Sequence, residues 1–311
     1  MRNSLLFIIH LTLIILFLSC QTVPIIPHAQ FEKASHAPLD ISASAYVFAD
    51  AKEARSIIEI LPIKELKDPQ VKQMLDRTDF IAAALFPADS GRRFQLTTWG
   101  KYPGGANIVF ASNKNWKKYD DTKHGSYWHS SADKLSLVLS IKNAFASASL
   151  NDSPLSPFAQ GSGINIPEGF NEFRNEKTDH KGERKFPKAP LSCWIEDPGA
   201  AVMRVLNEAG IPLRFPVQKI FFNLYNQLAQ DEDSYTARIL LQFENASQAR
   251  GAAAIISLAG GFLSGANTPE FVSALFFSNP LIQENKNLEF ISAPLSENEL
   301  KYFLSFFLTV N

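Results

Sequence analysis

The sequence predicts an α+β protein with two tandem ferredoxin-like (βαββαβ) sandwich domains, each an antiparallel sheet with helices on one face. Strand-like and helix-like segments follow this order before residue 150 and again after residue 190. Between them, residues 151–190 are rich in Pro, Gly and charged side chains. Because a structureless insert of this length is uncommon inside one compact domain, we expect a linker there, with packing of residues 164–170 on a neighbouring domain as the alternative for that portion.

The N-terminus carries the most hydrophobic run of the chain, residues 5–18, with Arg2 ahead of it. As a helix this run would span about 21 Å, which is shorter than the bilayer core of about 30 Å. It therefore predicts a signal peptide over residues 1–19, with an uncleaved signal anchor as the alternative.

The segment Leu16-Phe17-Leu18-Ser19-Cys20 follows directly, with a small residue before the cysteine. It resembles the lipobox of bacterial lipoproteins, and its relaxed form, with Phe17 where Leu is usual, is similar to those of spirochaetal lipoproteins. The resemblance implies that Cys20 becomes the lipidated N-terminus, and three acyl chains would hold it stably on a membrane. Gln21 after the cysteine favours the outer membrane over the inner one.

A Pro-rich tether is expected over residues 20–40, followed by a first domain over residues 41–150. Asp50 is a candidate N-cap, and apolar residues recur at helical spacing after it. The expected elements are a strand, two helices, a hairpin, a helix and one or two strands: 42–49, 51–61, 69–76, 79–86 with 92–99, from 103, and 125–140.

The second domain is expected over residues 191–311. Asn245 is a candidate N-cap, and Ser296 with Glu299 forms a capping box ahead of a terminal helix. The expected elements are a strand, a helix, a hairpin, a helix, a strand and the terminal helix: 191–196, 198–210, 217–226 with 234–243, 246–259, 287–292, and from 297.

Side chains suited to chemistry are sparse. The segment 119–131 concentrates Asp120, Asp121, His124 and His129, which we interpret as a solvated turn, with a divalent-metal site as the alternative. Cys193 is expected to be a buried core thiol. The sequence contains no H-E-x-x-H, G-x-S-x-G or Walker A motif, so no enzymatic activity and no cofactor are predicted.

The formal net charge of -1 provides no basic field for nucleic acid. The feature that indicates a function is an apolar segment, because residues 251–282 contain a single charged side chain, Glu270. Helices here either pack onto the sheet or form an apolar groove or membrane contact. The candidate contact residues are Ile255, Ile256, Leu258, Phe262, Leu263, Phe271, Phe276 and Phe277.

These observations predict a non-enzymatic lipoprotein tethered to the periplasmic face of a bacterial envelope membrane. The lipid anchor is the membrane contact, and the apolar helices would bind lipid or an envelope protein. The combination loosely resembles outer-membrane lipoproteins that embed amphipathic helices in the inner leaflet. The alternatives are a purely structural or interaction lipoprotein whose body never contacts lipid and, third, a metal-dependent enzyme.

Overall fold

The computed structural model describes fifteen stretches of the chain. They are residues 39–40, 42–60, 69–86, 94–103, 105–121, 125–132, 134–140, 145–150, 166–175, 177–178, 184–196, 198, 216–226, 234–263 and 282–301.

Twelve strands form one antiparallel sheet in the order β13-β14-β12-β11-β10-β1-β2-β3-β7-β6-β5-β4, and β8 and β9 form a separate pair. The strands are β1 (Ala45–Asp50), β2 (Thr78–Leu85), β3 (Phe94–Gly100), β4 (Trp116–Asp121), β5 (Gly125–Ser130), β6 (Leu135–Ser140), β7 (Phe145–Leu150), β8 (Lys177–Thr178), β9 (Arg184–Phe186), β10 (Leu191–Glu196), β11 (Val217–Asn226), β12 (Tyr235–Phe243), β13 (Ile282–Glu284) and β14 (Asn287–Ile291).

The α+β class is confirmed, but two separate ferredoxin-like domains are not. Strand β1 pairs with β2 on one side and with β10 on the other, so both halves of the chain share one sheet. Both faces of β1 carry apolar side chains, which is typical of an inner strand rather than a domain edge. The predicted domain boundaries remain predictions.

Register partners on neighbouring strands place their side chains on the same side of the sheet. One side carries Val47, Cys193, Phe222, Ile239 and Phe290 in a row across β1, β10, β11, β12 and β14, and we call it the aliphatic face. The neighbouring row, Tyr46, Trp194, Phe221, Leu240 and Glu289, lies on the opposite side, which we call the aromatic face.

Within the described residues, five helices have both ends defined: α1 (Arg55–Ile60), α2 (Pro69–Asp76), α3 (Ala106–Ser112), α4 (Phe170–Arg174) and α5 (Ala246–Leu263). Residues 297–301 are also helical. The isoleucines of α1 pack with Leu191, Phe222 and Leu224 on the aliphatic face. The chain before α1 is capped as predicted, since Asp50 Oδ1 accepts hydrogen bonds from the backbone N–H groups of Lys52 and Glu53.

Helix α4 lies on the aromatic face, so the expectation that all helices share one side is wrong. Gly169 begins this helix with φ at +83°, a left-handed conformation that favours glycine. Phe170 then packs edge-on against Trp194, with ring centroids 4.7 Å apart. Four residues of the predicted linker are therefore part of the core: Phe170, Phe173, Phe186 and Ala189.

Candidate functional site

Helix α5 carries the longest apolar helical surface in the described chain. Asn245 is its N-cap, because Asn245 Oδ1 accepts hydrogen bonds from the backbone N–H groups of Ser247 and Gln248. The helix then continues for 18 residues, or about 27 Å, with Arg250 as its only charged side chain.

One side of α5 is buried against the aliphatic face. Ala249, Ala252 and Ile256 recur at helical spacing and are at most 7% exposed. They pack into a cluster with Ile220, Leu288 and other apolar residues of β11 and β14. The small alanines let the helix axis approach the sheet closely, so this side is a structural contact.

The other side of α5 faces outward. Arg250, Gly251 and Ala254 are exposed, and Ile255 is half-buried. After Arg250 this outward side has no charged group that would keep it solvated. An amphipathic helix with so weak a polar side is suited to contact an apolar surface.

The predicted contact residues divide into three groups. Ile256 is core, and half-buried Ile255 lies at the border between core and surface. Leu258, Phe262 and Leu263 belong to α5, but their side chains lie outside the described residues. Phe271, Phe276, Phe277 and the predicted lipidation site Cys20 also lie outside them.

The alternative metal site is not assembled in the described part of the chain. His129 lies beside Tyr119 on one side of the β4–β5 hairpin, and its Nδ1 lies 2.9 Å from Ser136 Oγ. Asp120 is opposite Ser126, on the other side, and Lys118 Nζ lies 3.4 Å from its Oδ1. His124 lies outside the described residues. Among those described, no three His, Cys, Asp or Glu side chains cluster as metal ligands.

Cys193 is a free thiol on the aliphatic face. Burial raises the pKa of this thiol to about 12. A thiolate is therefore almost absent at neutral pH, as expected for a core residue without reactivity.

The aromatic face contains a buried polar cluster that is not predicted from the sequence. Arg238 Nε donates to Glu289 Oε1 at 2.8 Å, and both side chains are at most 7% exposed. Arg238 Nη1 also donates to the backbone carbonyl of Phe173 at 3.0 Å, and Asn223 Nδ2 donates to the same carbonyl at 2.6 Å. This carbonyl is in the last turn of α4, so the buried groups cap the helix.

Two phenylalanine rings complete the environment of Arg238. Its guanidinium carbon lies 4.5 Å from the ring centroid of Phe173 and 4.8 Å from that of Phe186. The segment from α4 to β9 is thereby attached to the sheet. The sequence signal for this contact is weak, since an arginine within an apolar strand equally suits an exposed position.

No helix of the described residues combines the length and the hydropathy needed to cross a bilayer.

A family model described as "Outer membrane-associated lipoprotein TP0453" matches residues 38–261. Crystal forms I, III and IV of TP0453 are similar in fold. Their TM-scores are 0.57, 0.56 and 0.56, at sequence identities of 16%, 19% and 20%. The alignments cover 88%, 86% and 88% of this chain, and 98%, 96% and 98% of the respective TP0453 chains. No curated protein matches the sequence.

Proposed function

The chain belongs to the TP0453 family of outer membrane-associated lipoproteins, and from this premise we propose that its body binds lipid or an envelope protein through the apolar helix α5. The protein is a bacterial lipoprotein of the outer membrane. We further propose that Cys20 carries the lipid, that residues 20–40 hold this cysteine and the tether, and that the body has no catalytic activity.

The observation that carries the proposal is the division of α5 into two unlike sides. The inner side of α5 is buried in the core through Ala249, Ala252 and Ile256. Its outer side exposes Gly251 and Ala254 and carries no charge after Arg250. A helix that served only to cover the sheet would gain solubility from charged residues on this outer side.

A flotation experiment tests whether α5 contacts lipid. The mature chain with Cys20→Ser, which cannot be lipidated, would be mixed with neutral phosphatidylcholine vesicles and centrifuged through a density gradient. We expect the protein to float with the vesicles, and the double variant Gly251→Glu/Ala254→Glu to remain at the bottom. A Cβ at Gly251 would meet no atom within 4 Å, so the fold should tolerate the change.

The matched control places two carboxylates at two exposed positions of another helix. Ala111→Glu/Ser112→Glu adds two carboxylates at the end of α3, where both residues are exposed. This control should still float. If the parent Cys20→Ser chain does not float at all, lipid contact by the body is rejected, and the second candidate, a tethered domain that binds only proteins, takes its place.

A further inference from the structure

Arg174, the last residue of α4, lies over two aromatic rings of the sheet. Its guanidinium carbon is 5.6 Å from the ring centroid of Phe48 and 5.4 Å from that of Phe80. The side chain is partly buried, and its Nε has no hydrogen-bond partner. Within the described part of the chain, no carboxylate lies within 4.0 Å of this guanidinium.

Arg238, on the same face, is an arginine with a structural role, and its partners can be compared with those of Arg174. Arg238 has a carboxylate, a backbone carbonyl and two rings around it. Among the described residues, Arg174 contacts rings alone. Both residues contact the same short helix, Arg238 fully buried and Arg174 partly buried.

A cation in this position is costly without an anion. Buried charged groups in proteins are usually paired, because the guanidinium loses its hydration without compensation. Burial lowers the pKa of Arg174, and the charge of Asp50 only partly opposes this effect. The Asp50 carboxylate is already engaged in capping the chain before α1.

Two further donors without partners lie next to the ring of Phe48. Ser192 is the register partner of Phe48 on β10, and its Oγ is buried with no hydrogen bond. Trp194 stacks on Phe48 with ring centroids 5.2 Å apart, and its Nε1 is likewise buried and unpartnered. This patch of the aromatic face is therefore short of acceptors.

We propose that Arg174 binds an external oxyanion, a phosphate or carboxylate group carried by a lipid headgroup or free in solution. The rings of Phe48 and Phe80 fix the position of the guanidinium, and its remaining N–H groups are the donors for two oxygens of the ligand. The site lies on the opposite side of the sheet from α5, so it goes beyond the function proposed for that helix.

The test uses the mature Cys20→Ser chain and two probes. Inorganic phosphate at constant ionic strength, titrated by calorimetry, represents the free anion. Vesicles of phosphatidylcholine with and without phosphatidylglycerol represent the headgroup. Arg174→Gln should weaken binding by about tenfold or more, since hydrogen bonds between charged groups are strong. Arg77→Gln removes an exposed arginine and should bind like the parent.

The two probes separate the possible sources. Phosphate binding that is lost in Arg174→Gln assigns the site to a free anion. An increase in vesicle binding when phosphatidylglycerol is added, absent in Arg174→Gln and without binding of free phosphate, assigns it to a headgroup. The proposal is overturned if the parent binds neither probe, or if Arg174→Gln binds both as the parent does.

Stability distinguishes a binding residue from a structural one. Because Arg174 has no acceptor among the described residues, Arg174→Gln should unfold at the same urea concentration as the parent or at a higher one. Arg174→Lys keeps the charge without the planar fork and should bind more weakly than the parent while remaining folded. Unfolding of both variants at lower urea would mean that Arg174 is structural. The α5 variant Gly251→Glu/Ala254→Glu should keep phosphate binding, so failure of either proposal leaves the other testable.

Discussion

The two faces of the single sheet are covered by different means. On the aliphatic face, helices α1 and α5 bury apolar side chains at helical spacing. On the aromatic face, the five-residue helix α4 is held by edge-on and tilted ring contacts and by the buried Arg238, Asn223 and Glu289. The first face depends mainly on shape and volume, whereas the second depends on the pairing of particular polar groups.

This difference has a physical origin in helix length. A long helix buries enough apolar area to hold itself in place, at about 25 cal/mol for each Å² removed from water. A helix of five residues cannot do so, and most of its backbone groups lack intrahelical partners. Side chains from β11 and β12 supply the missing donors for α4, and these donors must themselves be buried.

The largest expected effect on the free energy of unfolding comes from removing one member of the buried ion pair. Glu289→Gln should lower the free energy of unfolding by about 3–5 kcal/mol, because it leaves the Arg238 charge uncompensated. Urea denaturation measures this change. The double variant Arg238→Met/Glu289→Leu should lose less than the single variant.

The half-exposed pair of Lys219 and Glu196, with Nζ and Oε1 2.9 Å apart, is the matched control for this comparison. Glu196→Gln should cost about 1 kcal/mol or less, as is usual for ion pairs in contact with water. Equal losses for Glu196→Gln and Glu289→Gln would contradict the special role assigned to the aromatic face.

A volume change should dominate on the aliphatic face. Ile57 of α1 is fully buried, so Ile57→Ala should cost about 2–5 kcal/mol through lost burial and the cavity that remains. Ile57→Leu conserves the volume and should cost less than about 1.5 kcal/mol. Urea denaturation of both variants checks the expectation, and a similar loss in the two would mean that conserved volume alone does not hold this face.

Two glycines, one beside each face, sharpen the contrast at the level of the backbone. Gly169→Ala places a side chain at φ +83° and should lower stability by about 1–2 kcal/mol, although the nearest atom, Phe221 Cε2, leaves room at 4.0 Å. Gly251→Ala, inside α5, should raise stability by about 0.5–1 kcal/mol. Thermal unfolding should therefore shift in opposite directions, and a shift of the same sign in both would refute the assignment.

The smallest effect concerns Tyr46, whose hydroxyl donates to the backbone carbonyl of Asp40 at 2.9 Å. Burial raises the pKa of Tyr46 to about 12 from an ordinary value of 10.0. A raised pKa stabilises the fold below pH 10, and this contribution is lost as the pH rises to about 12.

Tyr46→Phe should cost about 1 kcal/mol at pH 8 through the lost hydrogen bond. It should also reduce the decline in stability between pH 10 and pH 12, as followed by urea denaturation at several pH values. An unchanged alkaline decline would show that Tyr46 does not contribute to it.

Much of the aliphatic face could be predicted from the sequence. The caps at Asp50 and Asn245 and the capping box of Ser296 with Glu299 occur as expected. The strands at 191–196 and 217–226 have the predicted bounds. These elements depend on periodicity and local capping, which a single sequence displays directly.

The aromatic face could not be predicted in this way. Arg238 and Glu289 are 51 residues apart, and no local pattern indicates that each buries the other. The last residues of strand β4 lie in the segment interpreted from the sequence as a solvated turn. Its sequence WKKYDD is polar because the strand lies on an exposed hairpin. The two ferredoxin-like domains are not confirmed for a related reason, since only a long-range pairing, that of β1 with β10, decides whether there is one sheet or two.

The pairing of β1 with β10 also has a consequence for how the protein is made. Ala45 is the register partner of Ile195, about 150 residues further along the chain. During export strand β1 would emerge before β10. Pairing between strands so far apart in sequence forms slowly. In that interval the apolar side chains of β1 stay available to other chains. Assembly of the central sheet is therefore limited by the arrival of β10 rather than by local folding.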